Sequence, residues 1–506
     1  MKHVPQKYKG DVKMLKRTKL LVGILSLAVF AVTLAGCGGS KTAAKHDYSF
    51  YIFNGKSENA DALEKLVKEY ETEKGVKVKV FSLGTTEVTD TLRSAMNSDE
   101  KPSIFSIGAG ALTEWKEGGF AKDLNETIPK LKELANSVPE SMRLKTKDGE
   151  NYGIPYNIEG YGLITNKKMV ADLFGLTDTK AFIADFKTAT YEEFQGLVVA
   201  VDAFIKENKA GSVVLSGHTY QLATNKTELT SKLNGVFSVA GAEKWSYGDH
   251  FSNYPLNTVF DSLSAAQNAT DEQLEQLRTP LEKSVQALDF ETSYLAGPNG
   301  ALKRSPDFIN STNTGYDQAV QTFADGKALF IKQGNWVYSN IKKVNDKITQ
   351  DITMLPMKLA FTNEDIKVKG LTAEKFNQSI PEFVPSYYAI NKKVSEEEQK
   401  AAEEFLVWLN TSEKGMNAIT KDFAFVPFNA TSDTKLENPL SNDLITYKRE
   451  GNILSNAFNG APNSWGQQAY GKILMEEYFV KTDWTKDDYK KVADFSISQW
   501  KELKSK

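Results

Sequence analysis

Between residues 48 and 107 the chain alternates short apolar runs with amphipathic stretches, and that alternation restricts it to a small set of folds. Residues 48–53 read Tyr-Ser-Phe-Tyr-Ile-Phe, the nearly unbroken apolar run of a strand covered on both faces of a parallel sheet. Ala62, Leu63, Leu66, Val67 and Tyr70 then recur at helical spacing; Lys74 suits a last turn and Gly75 the position after it. Residues 76–81 alternate as a strand, 86–97 read as a second helix that Pro102 closes, and 103–107 as a third strand. Strand–helix–strand repetition predicts an α/β architecture, a mostly parallel sheet flanked by helices. Ligands of such sheets gather at the carboxyl ends of the strands, here residues 54–58 and 108–110. Gly55-Lys56-Ser57 is half of a phosphate loop, but the other half needs glycine where Phe50 stands, which argues against nucleotide hydrolysis.

Residues 153–166, Gly-Ile-Pro-Tyr-Asn-Ile-Glu-Gly-Tyr-Gly-Leu-Ile-Thr-Asn, mix strand formers with three glycines, Pro155 and one carboxylate, Glu159. Pro155 fixes its own φ, and Gly160 and Gly162 admit backbone angles closed to other residues, so flexible points are expected here. On these residues alone, a bulged edge strand and a functional crossover both stand. Further on, 167–174 and 191–207 read as helices, followed by a polar region to Thr314 without a clear pattern. Residues 325–331 turn into a strand that ends at Gly334-Asn335-Trp336. Residues 383–391 are a strand before a helix at 395–410, 423–428 form a second crossover-like run containing Pro427, and 470–478 and 489–503 are amphipathic helices.

A net charge of −3, from 62 basic and 65 acidic residues, gives no footprint for nucleic acid. Four histidines without a His or Cys neighbour at ligand spacing predict no metal site, and no cofactor is expected. The single cysteine closes the one pattern that addresses the chain. Lys13, Lys16, Arg17 and Lys19 precede an uncharged apolar run at 20–35, the layout of a secretory signal and shorter than a membrane span. The run ends in Leu34-Ala35-Gly36-Cys37, which resembles a bacterial lipobox. The resemblance implies a signal peptide at 1–36, acylation of Cys37 and a tether at 37–47, with Met1 and Met14 both open as the start.

Several separated segments together resemble the extracellular solute-binding proteins of ABC importers, in the branch that includes maltose-binding protein. They are Phe53-Asn54-Gly55-Lys56, Glu73-Lys74-Gly75-Val76-Lys77-Val78, Tyr152 to Tyr156 through Leu163 to Lys167, Gly326 to Trp336, and Tyr388-Ala389-Ile390-Asn391 with Glu404-Phe405-Leu406. The resemblance implies a type II two-lobe fold, each lobe a mostly parallel sheet flanked by helices, with the ligand cleft between. It implies a first lobe of 48–156 and 388–424, a second of 160–381 and 428–506, and crossings near 155–160, 382–387 and 425–427. Thr165 stands where the family usually has tyrosine, and the second lobe is enlarged at about 206–314.

Carried over by position, Asn54 and Lys56 are expected as polar ligand contacts, Glu159 as a hinge carboxylate facing the cleft, and Trp336 and Trp465 as aromatic platforms. That chemistry suits a sugar, whose hydroxyls take bidentate bonds and whose C–H face packs on a ring. Trp115, Trp245 and Tyr161 stay unassigned. The expected molecule is a monomeric, non-enzymatic carbohydrate receptor, with an oligosaccharide as the expected solute. It is anchored by Cys37 on the extracellular face of a Gram-positive membrane and serves an ABC permease. The same fold with a peptide, polyamine or anion is one alternative. An extracellular glycoside hydrolase is another, for which no motif supplies the two carboxylates.

Overall fold

The apolar runs of the sequence become the central strands of two sheets. The structure is a computed structural model that describes residues 46–84, 88–145, 149–431 and 433–505. The expected signal peptide, Cys37 and the tether up to residue 45 lie outside the described residues. The strands are β1 (Phe50–Asn54), β2 (Val78–Ser82), β3 (Ile104–Ile107), β4 (Ile154–Pro155), β5 (Glu159–Asn166), β6 (Ser212–Leu215) and β7 (His218–Gln221). They continue as β8 (Gly235–Ser238), β9 (Ala328–Gly334), β10 (Ile352–Leu355), β11 (Ile380–Phe383), β12 (Tyr387–Ile390) and β13 (Ile453–Leu454).

The first sheet has the order β2-β1-β3-β12-β4, and the second β13-β11-β5-β9-β8 with β10 also paired to β5. β1 runs parallel to β2 and β3, as the strand–helix alternation predicts, because each return passes through a helix on the sheet's face. Strands that arrive from the other sheet enter in the opposite sense: β12 is antiparallel to β3 and β4, and β5 to β9, β10 and β11. Helix Ala60–Lys74 lays Leu63, Leu66, Val67 and Tyr70 against the first sheet and stops at Gly75, whose φ of 67° is the left-handed C-cap glycine favours.

The stretch 153–166 is shared between the sheets, β4 in one and β5 in the other. Two of its glycines serve close packing. Gly160 and Gly162 lie in a wholly buried strand, and each makes room for a neighbour. A Cβ on Gly160 would stand 2.6 Å from Leu444 Cδ1, and one on Gly162 would overlap the Leu355 carbonyl, part of the backbone of β10. Gly162→Ala is therefore expected to cost about 1–3 kcal/mol by forcing β5 and β10 apart. Urea unfolding measures this, and an unchanged midpoint would refute the packing argument.

The run 383–391, expected as one strand, is divided. β11 belongs to the second sheet and β12 to the first, with Pro385, which has no N–H for a ladder, in the link. A third segment joins these crossings where Ile158 N–H donates to the Val426 carbonyl at 2.9 Å and Val426 N–H to Asn157 Oδ1 at 2.9 Å.

The polar region from residue 206 holds the β6–β7 hairpin, β8, helices Leu263–Gln267, Asp271–Gln276 and Arg278–Glu291, and a π-helix at Ser246–Phe251. The helix expected at 470–478 is largely π-helical, in segments Trp465–Gly471 and Leu474–Tyr478. The two widened segments Ser246–Phe251 and Trp465–Gly471 touch through glycine, since a Cβ on Gly466 would stand 2.7 Å from the Gly248 carbonyl oxygen. That contact holds the segment carrying Trp245 and His250 against the segment Trp465–Gly471.

Candidate functional site

Where β1 ends, the chain makes a short polar loop before helix Ala60–Lys74, and where β5 begins it presents Glu159. The two meet. Lys56 Nζ lies 2.6 Å from Glu159 Oε1 and 2.9 Å from Glu58 Oε1, and the three side chains are only 8%, 4% and 16% exposed. Asn157 Nδ2 donates to the same Glu159 oxygen at 2.9 Å, and the ammonium lies 5.5 Å from the centre of the Phe425 ring. One cation thus holds two buried carboxylates contributed by a first-sheet loop and a second-sheet strand.

The electrostatics follow from that stoichiometry. Burial works against the Lys56 ammonium, but Glu159 and Glu58 outweigh it and hold its pKa above the ordinary lysine value. Burial also works against the Glu58 carboxylate, yet Lys56 wins and holds it below its usual range. Glu159 moves the other way: burial, reinforced by the charge on Glu58, raises it despite Lys56 and Asn157.

Asn54, expected as a ligand contact, is fully buried behind this loop with its amide occupied. Its Nδ2 donates to the Lys56 carbonyl, Asn59 Oδ1 and Ser82 Oγ at 2.8, 3.1 and 3.0 Å, and its Oδ1 accepts from the Tyr156 hydroxyl at 2.7 Å. It shapes the loop that presents Lys56 and has no group to offer a ligand.

Aromatic rings gather at the end of β9. Trp336 is partly buried at the end of β9, folded over Gly334, where any Cβ would overlap its ring, and its indole donates to Gln333 Oε1 at 3.0 Å. Around it stand His250 at 5.0 Å, Phe383 at 6.2 Å, and Tyr161 and Trp245 both at 6.3 Å between ring centres. Trp245 donates to Glu243 Oε2 at 2.9 Å, and Glu243 Oε1 accepts the Tyr316 backbone N–H at 3.2 Å, setting the Trp245 and Tyr316 rings 6.1 Å apart. Burial, aided by the Lys56 charge, lowers the His250 pKa to about 3, so this imidazole is neutral and acts as one more ring of the cluster. The turn Ala109–Ala111, which follows β3 of the first sheet, meets the turn Phe458–Gly460, which follows β13 of the second.

Trp465 does not join this cluster. It is 1% exposed, its ring centre 4.7 Å from that of Trp500 and 5.7 Å from that of Tyr470, with its indole N–H donating to the Ser496 carbonyl at 2.7 Å. The expectation of a platform gives way to a core role, because the segment 462–466 folds inward to seat Gly466 on Gly248. Trp115 is likewise core, beside Phe105 and Phe120. A pair of variants separates the tryptophans. Trp336→Ala is expected to weaken solute binding by roughly 2 kcal/mol, about 30-fold. Trp465→Phe is expected to leave affinity alone and cost about 1–3 kcal/mol of stability through its lost hydrogen bond and volume. Calorimetry and urea unfolding of both variants check this, and a crossed result would exchange the roles.

Among the described residues no group of three or more His, Cys, Asp or Glu is arranged to hold a metal, and no helix is long and apolar enough to cross a membrane. The model of the bacterial extracellular solute-binding proteins matches residues 65–445, most of the chain. The chain belongs to that family. It is one of binding proteins, with the two-lobe fold described above.

Similar proteins include a multiple sugar-binding protein of Streptococcus mutans serotype c, 22% identical over 334 residues, with 65% of this chain and 66% of the relative covered. A diacetylchitobiose binding protein of Streptomyces coelicolor is 26% identical over 163 residues, 30% of this chain and 37% of its own. The chain thus spans just under two thirds of the first relative's length and about a third of the second's. Among solved structures, the solute-binding protein RafE in complex with raffinose superposes with a TM-score of 0.61 over 90% of this chain and 99% of its own, at 16% identity, a likeness of fold.

Proposed function

We propose that the chain is a lipid-anchored receptor that captures an oligosaccharide between its lobes and delivers it to the transmembrane permease of an ABC importer. The observation that carries this reading is the buried Lys56–Glu159 pair, which joins a loop of the first sheet to β5 of the second, together with the aromatic cluster of Trp336, Trp245 and Tyr316 that reaches β5 at Tyr161. Charged hydrogen-bonding groups opposite ring faces are what a pyranose with polar edges and an apolar face requires. The sugar-binding relatives and the raffinose-bound neighbour support the same solute class.

In this reading Lys56, Glu159 and Trp336 contact the sugar, with Glu58, Trp245 and Tyr316 added to them, while Asn54 and Trp465 act from behind. The lobes are 48–156 with 388–424 and 160–381 with 428–506, and solute binding favours their closed arrangement, which the permease recognises. Cys37 carries the acyl chains that hold a monomer on the extracellular face of a Gram-positive cell membrane.

A thermal-shift screen tests the solute class, since a ligand at 100 times its Kd stabilises by about 2.7 kcal/mol. Neutral oligosaccharides are expected to raise the Tm. A rise with peptides, polyamines or anions and none with any sugar would overturn the carbohydrate assignment. Glu58 and Glu159 both flank the cleft, so the same sugars are assayed for new reducing ends. None is expected, because Lys56 lies between the two carboxylates where a hydrolase would seat the glycosidic bond. Cys37→Ala is expected to release the protein into the medium, and retention on cells would remove the anchor.

A further inference from the structure

On the other face of the strand that carries Glu159, the chain leaves a cavity of about 230 Å³. Successive residues of an extended segment point to opposite faces. Glu159 turns toward Lys56, so Ile158 and Gly160 turn away from it, and a Cβ on Gly160 would stand 2.6 Å from Leu444 Cδ1 of the helix Pro439–Arg449. Ile158 and Leu444 both line the cavity, which places it on the reverse of the crossing from the charged pair. Each of the three segments that link the sheets gives it a residue: Ile158 from the link between β4 and β5, Glu382 from β11, and Val426, whose carbonyl accepts the Ile158 N–H. With the buried Phe428 and Ile445 they enclose a mainly apolar interior.

At the rim two cations accompany one carboxylate. Lys448 Nζ lies 2.9 Å from Glu382 Oε1, which pairs those two charges. Arg449 approaches Glu450 no closer than 3.8 Å and makes no hydrogen bond among the described residues, so its guanidinium is left for a further anion. A dry cavity of about 150 Å³ takes benzene, so this one has room for a bicyclic ring. We infer that the cavity is a second ligand site, taking a small molecule with an apolar ring body and one carboxylate, the ring against Ile158, Val426 and Leu444 and the carboxylate on Arg449. Its place gives it an effect on solute capture, and that effect alone rests on the receptor reading above. Parts on opposite sides of a hinge move in opposite senses, so closure over a solute on the Glu159 face reshapes the cavity on the Ile158 face. A ligand that fits one of the two shapes better shifts the balance between them and changes solute affinity by the factor with which the solute changes its own.

The test is calorimetry at pH 7 with indole-3-acetate and, as its uncharged match, indole-3-acetamide. The acid is expected to bind the wild type at least about 3-fold tighter than the amide. Arg449→Gln, at an exposed position, is expected to bring that ratio to one. Ala430→Trp, which fills the cavity from its partly exposed rim, is expected to weaken both probes at least about 10-fold; should it fail to fold, Arg449→Gln decides alone. No binding by the wild type, equal affinity for acid and amide, or a ratio unmoved by Arg449→Gln would overturn the site. So would loss of probe binding in Trp336→Ala, which would put the probe among the aromatic rings of the solute site. Saturating indole-3-acetate is further expected to change the Kd of the oligosaccharide found in the thermal-shift screen by at least about 5-fold in the wild type and not in Ala430→Trp. An unchanged Kd would overturn the coupling alone, and failure of every sugar in that screen would remove the carbohydrate reading while the two indole titrations still decide the site.

Discussion

Glu159→Ala is expected to weaken binding of the oligosaccharide selected by the thermal-shift screen by at least about 100-fold, roughly 3 kcal/mol, while the protein stays folded. The two halves of that expectation have separate causes. A buried carboxylate accepts charge-assisted bonds from hydroxyls, each worth about 1.5–3 kcal/mol, and alanine removes the acceptor without replacement. The fold survives because Lys56 is not stranded: Glu58 remains at 2.9 Å, and the loss of Glu159 removes the negative charge that burial opposed. Glu159→Gln keeps the shape and some hydrogen bonding and is expected to fall between the wild type and alanine. Calorimetry gives the affinity and a thermal melt the stability. Tight binding by the alanine variant would reduce β5 to ordinary structure and take Glu159 out of the proposed site.

Much of this arrangement is legible in the sequence wherever local chemistry and tertiary role coincide. The run at 48–53 is apolar because β1 is covered on both faces, and Gly75 is glycine because the helix ends in a left-handed turn. Lys56 and Glu159 stand out for a related reason, as charges set directly beside strands. The failures come where tertiary contact decides. Gly160 and Gly162 read as freedom of the backbone, yet they provide room for Leu444 and Leu355, which only the folded chain brings near.

Asn54 reads as a ligand amide because nothing in the sequence reveals that Asn59, Ser82 and Tyr156 will occupy it. Trp465 follows Pro462-Asn463-Ser464, the composition of a surface loop, but packs inward on Trp500. Glu58 could have been found: it follows Lys56 by two residues in the same ligand loop. Trp245, His250 and Tyr316 could not be placed, because their region lacks periodicity and its π-helix has no sequence pattern; only the density of aromatic residues at 245–254 was a signal.

Lys56→Met shows the converse of the Glu159 result, and its consequences reach stability as well as binding. Removing the ammonium leaves Glu58 and Glu159 buried together without a counter-charge, a loss expected to cost about 3–5 kcal/mol at neutral pH. The cost depends on pH in a definite direction. In the variant both carboxyls are expected to have folded pKa values above their unfolded ones, because burial and mutual repulsion act with only the exposed Lys343, which favours the Glu58 charge, to oppose them. A carboxyl raised in this way destabilises in full above its folded pKa and not at all below its unfolded pKa near 4.3. The variant should therefore gain stability relative to the wild type as the pH falls from 7 toward 5, where the folded state takes up protons that the unfolded state has not yet bound.

In the wild type Lys56 is raised, so its contribution persists through that whole range and is lost only at strongly alkaline pH. Glu159 is raised there too, but Lys56 opposes that rise and holds Glu58 low, so the wild type gains less on acidification. The gap in unfolding free energy between the two proteins is thus expected to narrow on acidification. A second substitution, Glu159→Gln in the Lys56→Met background, should recover most of the loss at pH 7 by removing one of the two stranded charges, without restoring sugar binding. Urea unfolding of the three proteins at pH 5 and pH 7 decides the matter. A gap that stays constant with pH would mean that the loss comes from the changed packing of the side chain at this position and not from its charge.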